Sequence, residues 1–313
     1  MSILTTRRIV ELILLAMTLP SLALAAQRTF VSGSGNDAAA CTIVAPCRSF
    51  SAALALTGSA GEVIVLDSAG YGPVTIGQSV SITAPSGVYA GITTGLDGIT
   101  ISGPNVKVIL RNLVISAGHY GVFVTAGATG SVVELYSLSI AGPGSRGIRH
   151  EADSRLYIRD TAVSGMSDCY SADTLTGIAK MTIEHSSAAD CYQGYFAGGN
   201  TQLVIKDSSA FGRGTGGASV SYAGFIAEGS TIAGGYISCE GCLATNNLFG
   251  AVGSPYGGGS ASVLRISNSS LFKNNGGVGL YGGSTAISFG NNRIRDNGPT
   301  YGDGSFSQTV SPY

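Results

Sequence analysis

A stretch of alternating apolar and polar residues recurs along the chain. It reads apolar-x-apolar-x-polar, as in Val108-Ile109-Leu110-Arg111-Asn112 and Leu156-Tyr157-Ile158-Arg159-Asp160. The closing polar residues stand at positions 112, 137, 160, 185, 207, 268 and 291. They are 22 to 25 residues apart except between 207 and 268, where two longer turns of ambiguous register fill 61 residues. Alternation with a period of two predicts short β-strands.

A second strand begins nine or ten residues after most of these polar residues. Each repeat therefore holds a few short strands, too little chain to form a core alone, and must bury its inward residues against the next repeat. The closing residue suits a tight bend, because Asn and Asp tolerate left-handed backbone geometry. The pattern predicts an all-β parallel solenoid of roughly ten turns from residue 61 to 298, with strands stacked at ~4.8 Å.

The composition agrees with strands joined by many tight turns. The 313 residues include 47 Gly, and charged residues make up only 11%. This composition disfavours a highly charged disordered chain, a coiled coil and an ordinary helical bundle. The net charge is −1, and no Lys/Arg cluster follows the first ten residues, so we expect no nucleic acid partner.

The first 25 residues are typical of a signal peptide. Arg7 and Arg8 precede an apolar run, and a small-x-small cleavage site ends at Ala25. The alternative, a membrane anchor, is disfavoured because Glu11 and Pro20 interrupt the short apolar run. Cleavage leaves 15 basic and 17 acidic residues, a net charge of −2. No later segment could span a membrane, so we expect a periplasmic or secreted protein.

Six cysteines in an exported chain favour disulfide bonds over metal ligands. We predict the pairs Cys41 with Cys47, Cys169 with Cys191, and Cys239 with Cys242. The middle pair follows from the repeat, since residues 22 apart lie side by side on adjacent turns. Two alternatives stay open: a redox role for the Cys239–Cys242 CxxC motif, and other pairings among the 15 that six cysteines allow.

The chain resembles the right-handed parallel β-helix proteins of the pectin lyase-like superfamily, particularly small exported bacterial members. The resemblance rests on the repeat, on the opening Val31-Ser32-Gly33-Ser34-Gly35-Asn36-Asp37 and on Ala45-Pro46-Cys47-Arg48-Ser49-Phe50-Ser51-Ala52-Ala53. It implies an N-terminal strand and a short capping helix in residues 26–60, the β-helix in 61–298 and a C-terminal tail in 299–313. It also implies a polysaccharide partner along the sheet of strands that begin at Gly121, Gly147, Cys169, Gly194, Gly224, Gly250 and Gly279.

Alternation fixes the outward side chains of these strands. The third positions are Phe123, Arg149, Ser171, Phe196, Ile226, Val252 and Tyr281. The fifth positions are Thr125, Glu151, Asp173, Gly198, Glu228, Ser254 and Gly282. Aromatic rings and carboxylates in rows suggest a sugar-binding groove, and two insertions bring further tyrosines beside it. The candidate substrate-binding residues are Phe123, Phe196, Tyr222, Glu228, Tyr256 and Tyr281. The alternative is an ordinary solvated sheet face.

The candidate catalytic residues are Arg149, Glu151 and Asp173. Glu151 and Asp173 share an outward position on successive turns, so their backbones should lie ~4.8 Å apart. Carboxylates that close repel each other unless a cation lies between them, and Ca²⁺ would suit both as metal ligands. In a lyase-like mechanism on a uronate polymer, Arg149 would abstract or steer the proton. Inverting hydrolysis by this pair is disfavoured, because it needs carboxylates ~6.5 to 9.5 Å apart.

Two functional classes remain at this stage. The first is a protein that binds a polysaccharide or cell-surface glycan and cleaves it in a lyase-like reaction. The second is a non-catalytic structural or adhesive β-helix of the cell envelope. The sequence lacks the motifs of polygalacturonases, pectate lyases and pectin methylesterases, and it has no Trp to stack on a sugar. We therefore expect glycan binding, with cleavage left open.

Overall fold

Parallel strands stack coil upon coil along the computed structural model, which describes residues 26–213, 222–231, 233–255 and 259–310. One helix, Phe50–Leu56, lies before the stack. The side chain of Ser49 accepts a hydrogen bond from the Ala52 N–H and caps this helix. The helix buries Phe50, Ala53 and Leu54, and the Phe50 ring packs on Tyr71 of the first coil, with 5.1 Å between ring centroids. The predicted capping helix is confirmed.

Each coil contributes strands to three faces. Face 1 contains Val74–Ile76, Ile99–Ile101, Tyr120–Val124, Arg146–His150, the first halves of Asp168–Glu184 and Gln193–Lys206, Ala223–Gly229, Phe249–Pro255, Gly276–Leu280 and Gly302–Gly304. Face 2 contains Ala26–Val31, Thr57–Val65, Val80–Thr83, Lys107–Arg111, Val132–Tyr136, Arg155–Arg159, the second halves of the two long strands, Tyr236–Glu240, Val263–Ser267, Thr285–Ser288 and Gln308–Thr309. Face 3 contains Ala69–Gly70, Ala90–Thr94, Leu113–Ala117, Ser139–Ala141, Ala162–Ser164, Ser187–Ala189, Ser209–Phe211, Leu243–Thr245, Ser270–Phe272 and Arg293–Arg295.

The recurring polar residue forms the bend between face 2 and face 3. Every one of these residues has a positive φ, for example 57° at Asn112, 53° at Asp160 and 48° at Asn268. Its N–H donates to a carbonyl of the next coil, as from Asn112 to Tyr136 at 3.1 Å. Gly241, with φ of 64°, takes the same place in the segment that the sequence left ambiguous. Glycine adopts left-handed backbone geometry without steric cost. The bend is therefore present at Gly241, although the recurring polar residue is missing from the sequence there.

The interior holds apolar rows and hydrogen-bonded polar rows side by side. Tyr170, Tyr195 and Phe225 stack on successive coils, with centroids 4.8 and 5.1 Å apart. At the second bend, between faces 3 and 1, buried Asn247 donates through Nδ2 to Asn274 Oδ1, and Asn274 donates in the same way to Asn297. Buried polar groups need such hydrogen-bond partners, so the asparagine ladders fix the register in which the coils stack. The apolar rows stabilise the stack itself.

The predicted disulfides are confirmed. Cys41–Cys47, Cys169–Cys191 and Cys239–Cys242 are bonded, with Cα atoms 4.6, 5.8 and 5.9 Å apart. The middle bond joins adjacent coils, as the repeat length predicts. Cys239 and Cys242 are each only 2% exposed, so the CxxC motif forms a buried bridge rather than an accessible redox pair.

The structure differs from the sequence-based boundaries at both ends. Ala26–Val31 already pairs in parallel with Thr57–Val65, and Gln308–Thr309 pairs with Thr285–Ser288. Parallel pairing therefore extends beyond residues 61–298 in both directions. The proposed signal peptide, residues 1–25, lies outside the described residues. Over the described ranges, no helix has the length and apolar composition to cross a membrane.

Candidate functional site

Arg149 lies between Glu151 and Asp173 on the outside of face 1. Its Nε donates to Glu151 Oε1 at 2.9 Å, its Nη1 to Ser171 Oγ at 2.9 Å and its Nη2 to Asp173 Oδ2 at 3.5 Å. The strand register pairs Arg149 with Ser171, which sets the two carboxylates on neighbouring coils as predicted. The Arg149 side chain is only 9% exposed. The guanidinium is thus held by three acceptors and neutralises the close carboxylate pair.

Two further carboxyl groups on this face have perturbed protonation. Asp168 is 7% exposed, and burial raises its pKa although Arg146 Nε donates to it at 2.9 Å. Burial also raises the pKa of the half-buried Glu228, and the negative charges of Asp173 and Asp168 raise it further. Glu228 pairs with Gly198, which pairs with Asp173, so the two carboxylates lie two coils apart, with the Phe196 ring over the glycine between them. A carboxyl group with a raised pKa beside an ionised one is the arrangement of an acid–base pair.

Aromatic rings border this charged centre on the N-terminal side. Phe123 packs edge-on against Tyr120, with centroids 4.7 Å apart, and Tyr120 stacks on His119 at 3.7 Å. His119 Nδ1 lies 2.7 Å from Asp97 Oδ1, and the Arg146 guanidinium lies 5.9 Å from the Tyr120 ring centre. The predicted Phe123 is therefore one member of an aromatic group on a single coil, which Asp97 and Arg146 contact from the two neighbouring coils.

Phe196 and Tyr222 border the charged centre on the C-terminal side. The Phe196 ring lies over Gly198, since a Cβ at Gly198 would be 2.7 Å from the ring. Tyr222 stacks with Tyr192, with centroids 5.9 Å apart. Both predicted aromatic residues pack against a buried outer cluster of Ala223, Ile226, Phe249 and Val252. Ile226 and Val252 were predicted to line the open groove but are fully buried in this cluster, so the exposed groove ends near Phe196, Tyr222 and Glu228.

The last predicted coil needs a correction in register. Val252 pairs with Gly279 and Gly253 with Leu280, so the strand begins at Gly277 and not at Gly279. Tyr281 therefore occupies the fifth outward position rather than the third, and Gly282 lies beyond it. The error arose because a run of glycines offers several equivalent starting points. Tyr281 is 45% exposed and meets Phe249 edge-on, with centroids 6.4 Å apart. Tyr256 lies outside the described residues.

The charges along this part of face 1 are mainly negative. From residue 97 to residue 228 the carboxylates are Asp97, Glu151, Asp168, Asp173 and Glu228, and the cations are Arg146 and Arg149. Within the described ranges, no group of three or more His, Cys, Asp and Glu side chains is placed to hold a metal ion. Glu151 and Asp173 have a guanidinium between them, and the predicted Ca²⁺ site stays a prediction.

Comparison with known proteins assigns the chain to a family. The model of the right-handed β-helix region matches residues 120–294, more than half of the chain. The chain belongs to the right-handed β-helix family. The all-β right-handed solenoid inferred from the sequence is thus confirmed, as is the resemblance on which it drew. Among solved structures, a rhamnogalacturonan lyase matches with 12% identity and a TM-score of 0.45, over 84% of this chain and 74% of that one. No curated protein matches.

In this β-helix protein, the sequence alone identified Phe123, Arg149, Glu151, Asp173, Phe196 and Glu228, and the fold brings them onto one continuous face. Sequence reasoning missed Asp168 and Tyr120, which directly precede the first strand positions that the alternation rule assigned. It named Glu228 as a substrate-binding residue and did not pair it with Asp173. Since the register leaves Gly198 alone between Asp173 and Glu228, an aligned repeat could have revealed that pair.

Proposed function

We propose that this protein binds a polysaccharide along face 1, between the Phe123 and Phe196 coils. The observation that carries the proposal is the grouping of aromatic rings on both sides of a charged centre. Phe123, Arg149, Ser171 and Phe196 follow one another in register, so the two phenylalanines are about 14 Å apart along the stack. Rings at the two ends can pack on sugar faces, while the carboxylates and Arg149 between them offer hydrogen bonds to hydroxyl groups.

The charges of the groove favour a polymer without acidic groups. A uronate polymer, the substrate class that a lyase mechanism requires, would bring its carboxylates towards Asp173 and Glu228 and be repelled. A neutral polymer meets no such penalty. Its hydroxyl groups can donate to the same carboxylates, which supplies favourable charge-assisted hydrogen bonds.

The Asp173–Glu228 pair favours hydrolysis as a second, catalytic element of the proposal. Their backbones lie about 9.6 Å apart across two coils, so their side chains can reach the carboxyl separation of about 6.5 to 9.5 Å that inverting hydrolysis uses if the Phe196 ring turns aside for the substrate. Glu228, whose pKa is raised, would protonate the glycosidic oxygen. Asp173, held by Arg149, would take a proton from the water that attacks the anomeric carbon. Each cleavage consumes one water and returns both carboxyl groups to their initial charge after proton exchange.

Arg149 supports hydrolysis more than elimination. A proton-abstracting arginine needs a free guanidinium near the substrate, whereas Arg149 donates to Glu151, Ser171 and Asp173. We assign it a positioning role, because its Nη2 donates to Asp173 and holds that carboxylate in place. In the same proposal, Tyr222 and Tyr281 extend the binding surface at its C-terminal end. Tyr256 stands in the neighbouring insertion and is proposed as a further contact from its sequence position alone.

We propose that the protein acts outside the cytoplasm, in the periplasm or after secretion, on a polysaccharide or cell-surface glycan. Three disulfides fit an oxidising compartment. The sequence pattern of residues 1–25 supports export. An exported β-helix that binds glycan without cleaving it would be a structural or adhesive envelope protein, and the experiment below distinguishes that function from hydrolysis.

A glycan array of neutral and acidic polysaccharides tests binding, with the native protein beside Phe123→Ala/Phe196→Ala. Phe211→Ala is the matched control, because Phe211 is an exposed phenylalanine on face 3. We expect the double variant to lose binding and the control to keep it. Equal binding by all three proteins would refute face 1 as the site. The bound polymer is then assayed for new reducing ends and for unsaturated uronate products, using the native protein, Glu228→Gln and Asp173→Asn.

New reducing ends that both carboxyl variants abolish would support hydrolysis. Unsaturated products would instead establish a lyase and refute the assigned roles of Asp173 and Glu228. Binding without either product would refute catalysis and leave a glycan-binding envelope protein.

A further inference from the structure

A second recessed surface lies on face 2, away from the groove of face 1. Two neighbouring clefts of about 390 and 410 Å³ open between residues 129 and 182 and share Val132, Arg155 and Lys180 as lining residues. Glu134, Tyr136, Leu156, Tyr157 and Thr182 complete the second cleft. Volumes of this size are typical of small-molecule binding sites.

Arg155 and Lys180 are an uncompensated pair of cations in these clefts. They are direct partners in the parallel register of adjacent coils, so their backbones lie about 4.8 Å apart. Within the described part of the chain, neither side chain forms an ion pair or a hydrogen bond. Like charges on neighbouring coils repel each other, and an anion bound between them would remove that repulsion.

Three carboxylates lie near this pair, and one of them, Asp153, lines the first cleft, but within the described residues none forms an ion pair with Arg155 or Lys180. Glu134 accepts from Lys107 Nζ at 3.0 Å and from the Tyr136 hydroxyl at 3.0 Å. Glu184 accepts from the Tyr157 hydroxyl at 2.7 Å, and Asp153 Oδ1 accepts from the backbone N–H of Ile178 at 3.2 Å. These bonds leave the Arg155–Lys180 pair available to a ligand.

The same bonds hold an aromatic platform beside the cations. The rings of Tyr136 and Tyr157 stand on adjacent coils with centroids 5.8 Å apart, and each hydroxyl is tied to a carboxylate. The guanidinium of Arg111 lies 4.9 Å from the centre of the Tyr136 ring and braces it from the preceding coil. Rings fixed in this way lose little freedom when they pack against a flat ligand.

We propose that this face 2 cleft binds an acidic sugar, with the sugar carboxylate between Arg155 and Lys180 and the sugar ring against Tyr157. Arginine suits a carboxylate because its planar fork donates two parallel hydrogen bonds, and the lysine adds a point charge. A nucleic acid fits less well, because Glu134 and Glu184 interrupt the row of cations that a phosphate backbone would follow. The site is separate from face 1, whose excess of carboxylates repels the same ligand.

The test uses calorimetric titration of the native protein with tetragalacturonate, its fully methyl-esterified form and an oligothymidylate. Arg155→Gln/Lys180→Gln is the site variant. Lys206→Gln is the matched control, because Lys206 is an exposed cation of face 2 on a coil outside the clefts. Tyr157→Phe and Tyr157→Ala separate the ring from its hydroxyl, and thermal unfolding of each variant checks that it is folded.

We expect tetragalacturonate to bind the native protein, more weakly at higher salt, and the methyl ester to bind at least about tenfold more weakly, since a charge-assisted pair contributes that much. The site variant should lose a similar factor, Lys206→Gln should match the native protein, and Tyr157→Phe should bind better than Tyr157→Ala. Equal affinity for acid and ester, or an unaffected site variant, would overturn the proposal. Tighter binding of the oligothymidylate would also overturn it in favour of a phosphate ligand.

Substitution of the face 1 residues keeps the two proposals distinguishable. Phe123→Ala/Phe196→Ala should leave tetragalacturonate binding unchanged. If that variant loses binding and Arg155→Gln/Lys180→Gln does not, the acidic sugar binds on face 1 and the face 2 site is refuted.

Discussion

Asp173 and Glu228 occupy equivalent outward positions on face 1, two coils apart, with only Gly198 between them. The glycine leaves space above the sheet, and the Phe196 ring fills the part of that space next to the backbone. Asp173 is tied to a guanidinium, whereas Glu228 is partly desolvated and feels the charge of Asp173. One position without a side chain of its own thus separates a carboxylate that is hydrogen-bonded to an arginine from a carboxyl group whose pKa is raised.

Gly198→Ala should weaken glycan binding on face 1. The new Cβ would lie 2.7 and 2.8 Å from two carbons of the Phe196 ring, so the ring must swing away from its present place. A movable ring gives way at little cost, and we expect a stability loss of about 1 kcal/mol or less. Gly77→Ala is the control, because a Cβ there meets nothing within 4 Å. Affinity measured on the same polysaccharide for both variants checks this, and equal affinities would contradict the role of the ring.

Stability should fall between pH 6.5 and pH 3 because of His150. This side chain is fully buried, its Nε2 lies 2.7 Å from Ser154 Oγ and its Nδ1 has no partner in the described chain. Burial, together with the positive charge of Arg149, lowers the pKa of His150 to about 3. The folded state therefore keeps His150 neutral, while the unfolded chain takes up a proton below about pH 6.5.

The stability that depends on neutral His150 is complete above pH 6.5 and is lost as the pH falls towards 3, by about 2 kcal/mol at pH 5. Denaturant unfolding at pH 7 and pH 5 measures it. His150→Gln removes the titration and can keep a bond to Ser154, so its stability should change much less over this interval. An equal pH dependence in both proteins would show that other groups control it.

Ca²⁺ affinity should depend on Arg149. The guanidinium already neutralises Glu151 and Asp173, so the native protein should bind Ca²⁺ weakly. Arg149→Gln leaves two carboxylates without a cation and should bind Ca²⁺ more tightly, and Glu151→Gln/Asp173→Asn should not bind at this place. Calorimetric titration of the three proteins tests the order. If the native protein binds as tightly as Arg149→Gln, Ca²⁺ and the guanidinium do not compete.

The disulfide between coils should matter more to stability than the local CxxC bridge. Cys169–Cys191 closes a separation of 22 residues, and Cys239–Cys242 one of 3. Loop entropy predicts losses of about 3 and about 1.5 kcal/mol when each pair is replaced by alanine. Denaturant unfolding of the two double variants measures the difference. A larger loss from Cys239→Ala/Cys242→Ala would show that packing of the buried sulfurs outweighs the chain constraint.

The sequence by itself determined the coil. The alternation around Ile158 assigned inward and outward side chains, the residues at 112, 160 and 268 marked a left-handed bend, and the spacing of Cys169 and Cys191 implied a bond between adjacent turns. These features are local or repeat at a fixed interval, so a one-dimensional stack makes them readable from the order of residues.

Only the tertiary structure decided which side chains meet across coils and which stay exposed. Insertions shift the register between turns of unequal length. The effect of the Asp173 charge on the pKa of Glu228 and the burial of Ile226 therefore depend on how those turns stack. The face 2 cations show the same effect, because Arg155 and Lys180 are distant in sequence and become neighbours through parallel pairing. Charge and burial are properties of the assembled surface, and the composition of a single repeat does not specify them.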